Sequence, residues 1–395
     1  MPKNPKTPTS LPVTPRTTVK DLIQMSMDAE SILEQVRERM LNPYPRKTPP
    51  ELSAFQVAGL CGIDRTKLKQ LEASTKSTRG TAKPGHSFKT YTLKEAIELS
   101  QLIGNGPKRP AGKKGKVIAI TSYKGGVGKT TSAVTIAQGL TLKGLKVLLL
   151  GLDGQGSATM LMGVSPEVEV NSEQTAMGFI YRDHEDLRYA VQDTYWHNLH
   201  LIPESSALLM ADMVMPSNQK VIPGYEYWKQ LAIGVEPLRD EFDVIVVDTS
   251  PSLGYLTQNA MYLADMIFAP CPEQALDYAS LCQFWQVYVE LASKLPGFLQ
   301  EKQYDAVEVF VTKAKPDSDE TSATIKDWLR SSFGKNLCEV SVPESSIPQK
   351  ASSEMKTVYD LSGKDISSSA YKRYKEPVDD LVSHICEQLT LSWRR

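Results

Sequence analysis

Residues 117–131 read VIAITSYKGGVGKTT, an apolar run that passes into a loop with three glycines and two lysines and then into a helical pattern. An ordinary phosphate-binding loop, G-x-x-x-x-G-K-[ST], would need glycine at position 123, where this chain has Tyr123. The chain instead has the form K-G-G-x-x-K-[ST], with Lys124 five residues before Lys129. A strand, a glycine-rich loop and a helix in this order predict a nucleotide-binding loop.

The residue types of this loop fit a nucleoside triphosphate bound with Mg²⁺. Glycines lack the Cβ that would keep the backbone away from phosphate, and the amides that they free form, with the helix N-terminus, a cradle for anions. Lys129 is predicted to contact the β- and γ-phosphates, and the hydroxyl of Thr130 is predicted to ligate Mg²⁺. Thr131 is expected to begin the helix. The predicted nucleotide-binding residues of the loop are Lys124, Gly125, Gly126, Val127, Gly128, Lys129, Thr130 and Thr131.

A dinucleotide site does not fit the spacing, since the fingerprint G-x-G-x-x-G, started at Gly126, would need glycine at position 131. The remaining alternative is a glycine-rich turn that binds no nucleotide. The strand-like run before the loop and the helical pattern after it favour the nucleotide-binding interpretation.

Two further strand-like runs end in carboxylates. Residues 146–153 read KVLLLGLD, and residues 243–248 read DVIVVD. The second run is an apolar, mostly β-branched segment capped by Asp248, and this pattern predicts a strand whose terminal carboxylate holds the Mg²⁺ coordination shell, through water. Asp153, at the end of the first run, has a simpler alternative as a strand-end turn residue, because Asp is common at turns.

These motifs in this order resemble the ParA/MinD group of P-loop ATPases, whose signature is the extra lysine of the deviant Walker A loop. The resemblance implies that Lys124 reaches across a dimer to the phosphates bound by the opposite subunit, and that Asp153 orients the attacking water. Lys124, Lys129 and Asp153 are therefore the expected catalytic residues, with ATP as substrate, ADP as product and Mg²⁺ as the metal.

The match to the group includes departures. Gly151 and Gly154 replace the first aspartate and the proline of the group's D-x-D-P-Q-G-[NS] segment. Residues 249–254, TSPSLG, resemble the switch segment that senses the γ-phosphate. Pro343 and Glu344 lie where the group has its adenine-contacting loop, so the resemblance implies a nucleotide contact there.

The composition is that of a globular protein with two or three domains. The chain has 395 residues, of which 41% are hydrophobic, enough for a sizeable core. No apolar run reaches the length of a membrane span, and the N-terminus lacks the apolar region of a signal peptide, so a cytoplasmic protein is expected. The five cysteines form no C-x-x-C pair and no ligand-spaced cluster with histidine, and thus indicate neither zinc nor disulfides.

The net charge of −1 hides a division between the two ends of the chain. Residues 1–116 contain 21 Lys and Arg against 10 Asp and Glu, whereas the remainder contains 24 against 36, out of totals of 45 and 46. This asymmetry predicts a basic nucleic-acid module attached to an acidic catalytic domain. The alternative is a basic face that contacts only water, which is the usual role of a charge run.

Within the basic third, two short helical patterns are joined by a turn. Residues 52–60, which include Phe55, are apolar at helical spacing, and Asp64 is expected to cap the second helix. Leu68 and Leu71 would face inward and leave the polar side chains of this helix for the major groove of DNA. The pattern predicts a winged helix-turn-helix with the DNA-contacting residues Arg65, Lys67, Lys69, Gln70, Arg79 and Lys83.

A further helical pattern precedes this module along residues 20–41. Its apolar stripe, at intervals of 3, 4, 3 and 4 residues, consists of Leu22, Met25, Ala29, Ile32 and Val36. Packing on another helix is implied, and docking on the chain's own domain is an equal alternative to dimerisation. The resemblance favours dimerisation, since plasmid-type partition ATPases with an N-terminal operator-binding domain have a dimerising helix at this place.

The rest of the chain alternates helical patterns with strand-like runs, at 117–122, 146–152, 199–202, 243–248, 265–269 and 307–312. This alternation predicts an α/β fold, with a mainly parallel sheet covered by helices on both faces and nucleotide at the carboxyl ends of the strands. The predicted domains are a disordered tail (1–18), a dimerising helix (19–45), a winged helix-turn-helix domain (46–103), a linker (104–116) and a P-loop ATPase domain (117–395).

The C-terminal region holds a second candidate DNA contact. Residues 367–375 combine Lys372, Arg373 and Lys375 with two tyrosines in one helical stretch. In the group this region helps to bind non-specific DNA, and a solvated helix start is the alternative. From Pro377 onwards, apolar residues recur at helical spacing with acidic residues on the other face, and we expect this helix to pack on the sheet, since an anionic bilayer would repel it.

The sequence therefore predicts a DNA-partitioning ATPase of the ParA type, cytoplasmic and associated with the nucleoid. The resemblance implies a homodimer formed on ATP, with any larger assembly on DNA left open, that binds non-specific DNA and hydrolyses ATP when a ParB-type centromere-binding protein stimulates it. Its helix-turn-helix would repress its own operon. Two other classes stay open: a nucleotide-switched transcriptional regulator without a partition role, and a MinD-like division-site ATPase. No membrane contact is expected.

Overall fold

The structure of the chain is a computed structural model. It describes residues 16–40, 47–75, 80–82, 89–104, 106–315, 320–361 and 368–395. Two predicted DNA contacts, Arg79 and Lys83, and residues 1–15 of the predicted tail lie outside these ranges. The chain divides into two units, Met1–Arg46 and Lys47–Arg395.

The described part of the first unit is dominated by helix α1 (Val19–Met40). At its start, the carboxylate of Asp21 accepts hydrogen bonds from the backbone N–H and the hydroxyl of Thr18, at 2.6 and 2.7 Å. Such a carboxylate in the first turn also interacts favourably with the helix dipole. Leu22 and Met25 of the predicted stripe are each more than half exposed. The predicted helix is present, and dimerisation through its stripe stays a prediction.

The second unit begins with a small domain of helices and an antiparallel sheet in the order β1-β3-β2. Its elements are β1 (Leu52–Ser53), α2 (Ala54–Leu60), α3 (Arg65–Ser74), β2 (Thr81–Ala82), β3 (Lys89–Tyr91) and α4 (Leu93–Ile103). Ser53 and Asp64 cap α2 and α3, because their side-chain oxygens accept hydrogen bonds from the backbone N–H groups of Gln56 and Lys67, at 3.3 and 2.8 Å. The core of this domain consists of Val57, Ala58, Cys61, Leu68, Tyr91, Ala96 and Leu99.

Phe55, which the pattern counts among the apolar positions of α2, lies outside this core. Its side chain is 71% exposed, and the guanidinium of Arg65 lies 5.9 Å from its ring centroid. The reason is angular: Phe55 precedes the buried Val57 by two residues, which corresponds to about 200° of rotation around the helix axis. It therefore points away from Val57, which is fully buried.

The small domain is docked on the next domain through α4. Leu93 and Ile97 belong to a core cluster that continues into the large domain. The side-chain amide of Gln101 donates a hydrogen bond to the carbonyl oxygen of Gly144 at 2.8 Å. The two domains are thus packed together by apolar and polar contacts.

The described residues of the predicted linker, 104–116, also pack closely. A Cβ at Gly106 or at Gly115 would lie within 2.0 Å of a backbone carbonyl oxygen of the large domain. Arg109 forms an ion pair with Asp243 at 3.0 Å and donates to three carbonyl groups of the segment 239–242. The described residues of 104–116 therefore form a strap, a segment that lies directly against the large domain. Glycine is needed at Gly106 and Gly115 because two backbones approach each other there.

The large domain contains a central sheet in the order β11-β10-β9-β4-β8-β5-β7-β6, parallel except for β6 against β7. Its strands are β4 (Lys116–Ile120), β5 (Val147–Leu152), β6 (Gln192–Asp193), β7 (Leu199–Ile202), β8 (Val244–Thr249), β9 (Met266–Pro272), β10 (Ala306–Ala314) and β11 (Leu337–Pro343). Its helices are α5 (Lys129–Leu142), α6 (Ser157–Leu161), α7 (Pro166–Glu169), α8 (Met177–Ile180), α9 (Ala211–Val221), α10 (Gln230–Val235), α11 (Leu238–Glu241), α12 (Tyr255–Leu263), α13 (Ala275–Lys294), α14 (Phe298–Glu301), α15 (Glu320–Phe333), α16 (Ile347–Ser353) and α17 (Ser368–Arg394). The predicted α/β fold is confirmed.

Alternate residues of the central strands enter two cores on opposite faces of the sheet. On β4, Val117 and Ala119 belong to one core, while Ile118 and Ile120 belong to the other. All four are fully buried, which is why the strand reads as a continuous apolar run. Residues of α5 and α17 join the core of Ile118, and residues of α12 and α13 join that of Val117.

The C-terminal helix α17 packs on the sheet as predicted. Its apolar positions are buried in the core that it shares with α5, namely Val378, Leu381, Val382, Ile385 and Leu389. On the same helix, Nε2 of His384 lies 2.6 Å from Oε2 of Glu308 on β10, and Cys338 of β11 completes the cluster. Among the described residues, no helix is long and apolar enough to cross a membrane.

The contact between His384 and Glu308 predicts a pH-dependent stability. Hydrogen bonds to Cys338 and to Glu308 raise the pKa of His384 from its ordinary value of 6.5 to about 10. Because the folded-state pKa is the higher one, this stabilisation is complete below pH 6.5 and is lost as the pH rises through about 10. We expect His384→Gln to lower the free energy of unfolding by about 2 kcal/mol in mildly acidic buffer and by much less at high pH, in urea denaturation.

Glu308→Gln is the complementary variant, since it removes the other partner of the same contact. It should reproduce most of this pH dependence. A loss of stability that is equal at both pH values in both variants would contradict the assignment.

Candidate nucleotide-binding site

The loop between β4 and α5 is shaped by two glycines with left-handed backbone. Gly126 has φ of +74° and Gly128 has φ of +100°, a conformation that residues with a side chain rarely adopt. Gly125 lies outside this region, and a Cβ there would meet no atom within 4 Å. Helix α5 begins at Lys129, earlier than the predicted start at Thr131, so its first-turn N–H groups follow the glycines directly.

The side chain of Lys129 folds back over the loop. Its Nζ donates a hydrogen bond to the carbonyl oxygen of Lys124 at 2.9 Å, and the residue is only 5% exposed. Burial lowers the pKa of Lys129, whereas the carboxylates of Asp248 and Asp153 oppose the shift. The structure therefore brings Lys129 together with the two predicted carboxylates.

Asp248 lies in β8, in register with Ile120 of β4 and with Gly151 of β5. It is fully buried, and neither of its carboxylate oxygens has a hydrogen-bond partner within the described ranges. Burial raises the pKa of Asp248 to about 7, and the Thr130 hydroxyl opposes this shift from a position that does not meet hydrogen-bond geometry. A buried, unpartnered carboxylate beside a threonine hydroxyl suits a hard cation with oxygen ligands. Thr130 and Asp248 thus fit Mg²⁺.

Asp153 follows β5 and begins a tight turn. Its Oδ1 accepts a hydrogen bond from the N–H of Gln155 at 3.1 Å, so Asp153 is a turn residue as well as a neighbour of Lys129. Its own N–H donates to Oε2 of Glu204 at 3.0 Å. Burial raises the pKa of Glu204 well above its ordinary value, and repulsion from Asp248 adds to the shift. Three buried carboxylates meet where β5, β7 and β8 end.

Lys124, the additional lysine of the loop, is held within its own chain. Its Nζ lies 2.7 Å from Oδ1 of Asp277, which is in the first turn of α13. The side chain of Lys124 is 39% exposed, whereas that of Asp277 is 6% exposed. Lys124 therefore forms an ion pair within its own chain while its side chain stays partly exposed.

The switch segment, residues 249–254, is fixed at both ends. The hydroxyl of Thr249 donates to the carbonyl oxygen of Ile120 at 3.0 Å, which joins the ends of β8 and β4. After the segment, the N–H of Tyr255 in α12 donates to Oδ1 of Asp212 at 3.1 Å. The segment thus leaves the sheet directly beside the glycine loop.

Sequence reasoning missed several residues that shape this site. Thr312 and Lys313, at the end of β10, donate to backbone carbonyl groups of the loop at 2.9 and 2.8 Å. Glu204 follows β7 in the same way. A positional signal could have found all three, because polar residues at the carboxyl ends of parallel strands meet at one edge of the sheet. Asp277, in a helix, carries no such signal.

Pro343 and Glu344 lie at the end of β11, on the same carboxyl edge and beyond β9 and β10 from the loop. The N–H of Glu344 donates to the carbonyl oxygen of Ala314 at 2.9 Å, which fixes this end to β10. Their contact with adenine stays a prediction.

The predicted DNA contacts lie on other elements. On α3 the predicted contacts Arg65, Lys67, Lys69 and Gln70 are all exposed, whereas Leu68 is buried. On α17, Lys372 and Arg373 are exposed. Lys375 is half-buried, with its Nζ 2.5 Å from Asp379 and 5.1 Å from the ring centroid of Tyr359. Lys375 thus forms contacts within its own chain, and its contact with DNA stays a prediction.

The chain is similar in sequence and in fold to several known proteins. A family model described as an AAA domain matches residues 115–300. Protein SopA of Escherichia coli (strain K12) is 30% identical over 275 residues, which cover 68% of this chain and 69% of SopA. A putative replication protein A of Rhizobium rhizogenes is 26% identical over 386 residues, 94% of this chain and 95% of that protein. A solved structure described as a partition protein has a TM-score of 0.65 at 17% identity and covers 94% of this chain and 97% of its own.

The mainly parallel sheet, the two-lysine loop and the carboxylates at the strand ends define a P-loop ATPase domain of the ParA/MinD group. The identity to SopA over two thirds of both chains narrows the class further. This chain belongs to the ParA-type plasmid partition ATPases.

Substitutions at Gly128 and Gly125 should separate backbone strain from phosphate access. A side chain at position 128 would be strained at φ of +100°, so we expect Gly128→Ala to lower the free energy of unfolding without nucleotide by about 1–2 kcal/mol. Gly125→Ala should change this stability by less than about 0.5 kcal/mol, because its Cβ meets no atom within 4 Å, but should weaken binding of a fluorescent ATP analogue. Chemical denaturation and equilibrium titration measure the two effects. Equal losses of stability would rule out this division of roles.

Proposed function

We propose that this chain binds MgATP, dimerises on it, binds non-specific DNA as a dimer and hydrolyses ATP when a ParB-type centromere-binding protein stimulates it, in the partition of a plasmid or chromosome. The observation that carries the proposal is the meeting of Lys129, Thr130, Asp153 and Asp248 where β4, β5 and β8 end. Membership of the family that includes SopA supports it.

Each of these residues has a task in hydrolysis. The loop amides and Lys129 hold the triphosphate, and Thr130 and Asp248 hold Mg²⁺, which when bound neutralises charge on the β- and γ-phosphates. Asp153 accepts a hydrogen bond from the attacking water and orients it. Positive charge at a transferring phosphoryl group is usually the largest catalytic contribution, and the chain supplies it through its lysines.

Lys124 has two alternative anionic partners in the proposed cycle. Without a second subunit it pairs with Asp277. In the ATP dimer it leaves Asp277 and contacts the phosphates bound by the opposite subunit. The exchange makes the dimer depend on the γ-phosphate, and loss of that phosphate returns Lys124 to its own chain.

Two basic surfaces serve two kinds of DNA binding. The exposed face of α3 fits the major groove of an operator, which would let the small domain repress its own operon. Lys372 and Arg373 on α17 fit phosphates of any sequence. Contacts of the second kind give an affinity that falls steeply with salt and would keep the cytoplasmic protein on the nucleoid.

Two rival functions make different demands on the chain. A nucleotide-switched regulator would need α3 but no turnover. A MinD-like ATPase would need an apolar helix face for the bilayer. The apolar face of α17 is buried against the sheet, which supports DNA rather than a membrane as the bound surface.

Retention of random-sequence duplex DNA tests the ATP-dependent dimer. We expect retention with ATP and not with ADP, loss of retention in Lys124→Ala and Lys129→Ala, and, for about four phosphate contacts in a dimer, an affinity that falls by about 10²-fold between about 50 and 200 mM salt. Asp153→Ala should keep ATP-dependent retention and lower kcat by about 10²-fold or more. Lys294→Ala, which changes an exposed lysine paired with Glu290, is the matched control. Equal retention in every nucleotide state would refute the partition mechanism and favour the regulator.

Operator binding tests the second surface. With a duplex that carries the region upstream of the chain's own gene, Lys67→Ala and Lys69→Ala should each weaken specific binding by about 1–3 kcal/mol, as a base or phosphate contact would. Lys372→Ala should leave this binding unchanged and weaken only retention of random-sequence DNA. Gel-shift titration measures both, and the reverse pattern would exchange the roles of α3 and α17.

A further inference from the structure

The turn that carries Asp153 is held by a residue outside the sequence motif. Glu204 lies just after β7 and is fully buried. Its Oε2 accepts a hydrogen bond from the N–H of Asp153 at 3.0 Å, and its Oε1 accepts one from the N–H of Ala158 at 2.7 Å. The hydroxyl of Thr159 accepts from the N–H of Glu204 at 2.8 Å and donates to its carbonyl oxygen at 3.1 Å. Glu204 thus binds both ends of the turn 153–159.

The same side chain determines why position 151 is glycine. A Cβ on Gly151 would lie 2.6 Å from Oε2 of Glu204 and 2.9 Å from its Cδ and Cβ. The φ of Gly151 is not left-handed, so the backbone conformation does not require glycine. The nearest obstructing atoms all belong to Glu204, which therefore leaves no room for a side chain at 151.

Position 151 is also where the family segment D-x-D-P-Q-G-[NS] has its first aspartate. The 2.6 Å from a Cβ at 151 to Oε2 of Glu204 is comparable with the separation of the Cβ and the carboxylate oxygens within one aspartate. A carboxylate attached at position 151 would therefore lie in the space that Oε2 of Glu204 occupies, beside the N–H of Asp153. The same space can thus hold a carboxylate that is attached either to β5, at position 151, or to the segment after β7, at position 204.

We propose that Glu204 is a positioning residue for ATP hydrolysis. From the end of β7 it supplies the carboxylate that Gly151 lacks, and it thereby holds the turn that contains Asp153. This inference rests on the proposed role of Asp153 in hydrolysis. Buried N–H groups need an acceptor, and hydrogen bonds to a carboxylate are stronger than those to a neutral oxygen. Glu204 acts on the reaction through Asp153.

An exchange of the two positions tests the inference. The variants are Gly151→Asp, Glu204→Gly and the double variant that carries both. Glycine rather than alanine is used at 204, because the Cβ of Glu204 would lie 2.9 Å from a new Cβ at 151. Turnover is measured as kcat and KM for MgATP with random-sequence duplex DNA present. Stability is measured as the unfolding temperature of the nucleotide-free protein.

We expect each single variant to lower kcat by about tenfold or more, with less than about a threefold change in KM. Gly151→Asp places a second carboxylate against Glu204, and Glu204→Gly leaves two buried N–H groups unpaired. The double variant should recover kcat to within about threefold of the unchanged chain, a non-additivity that requires direct coupling. A double variant as slow as the slower single variant would overturn the inference, as would an unchanged kcat in Glu204→Gly.

Two further variants separate a loss of stability from a loss of positioning by Glu204. Glu308→Ala removes a buried carboxylate from the same sheet outside the turn, and should lower the unfolding temperature with kcat within about twofold of the unchanged chain. Glu204→Gln keeps the shape of the side chain but sets an NH₂ group against one of the two N–H donors. It should lower kcat even if Glu204→Gly does not fold.

Failure of the proposed function would look different from failure of this inference. If the unchanged chain does not hydrolyse ATP, the proposed function is wrong. The unfolding temperatures of the nucleotide-free variants would still show whether carboxylates at 151 and 204 replace each other: recovery in the double variant supports the exchange, and additive losses overturn it.

Discussion

Three buried carboxylates share the carboxyl edge of the central sheet, and the need to offset their charge governs what surrounds them. Burial raises the pKa of Asp248 to about 7 and that of Glu204 well above its ordinary value. Lys129 is the cation beside Asp248 and Asp153, and two backbone N–H groups point at Glu204. Asp248 keeps two oxygens without a hydrogen-bond partner in the described part of the chain. Glu204 thus has hydrogen-bond partners within the chain, whereas Asp248 has the buried, unpartnered oxygens that suit a hard cation.

Helix α5 connects this site to the small N-terminal domain. Its first turn holds Lys129, and further along it the side-chain amide of Gln138 donates to the hydroxyl of Tyr195 at 2.9 Å. That hydroxyl donates to Asp360 at 2.6 Å, and Asp360 forms a buried ion pair with Lys47 at 2.9 Å. Lys47 leads into the small domain, whose helix α4 packs on the core of α5. Polar and apolar contacts therefore join α5, which begins at the nucleotide-binding loop, to the small domain.

Local pattern was enough to predict the sheet, the loop and the capped helices, because buried parallel strands read as apolar runs and caps act within three residues. It was not enough to place Phe55, because the apolar pattern counts Phe55 together with Val57 although the two residues lie about 200° apart around α2. The strap at 104–116 looked like a linker because Gly and Pro mark flexible segments as well as close backbone contacts. The anchor of Lys124 also escaped prediction, since Asp277 lies far along the chain and only the fold brings them together.

The two departures from the family motif, Gly151 and Gly154, also could not be explained from the sequence around them. Read along the chain, Gly151 and Gly154 look like losses of an aspartate and a proline. Read in space, each is matched by a side chain from the segment after β7: Glu204 crowds position 151, and Leu209 would lie 2.8 Å from a Cβ at position 154. The turn and the segment after β7 therefore form one packing unit. The two positions differ in what a side chain would require: at 154 the exposed end of Leu209 could rotate away, whereas at 151 the buried Glu204, whose Cβ would also lie 2.9 Å away, would have to be replaced.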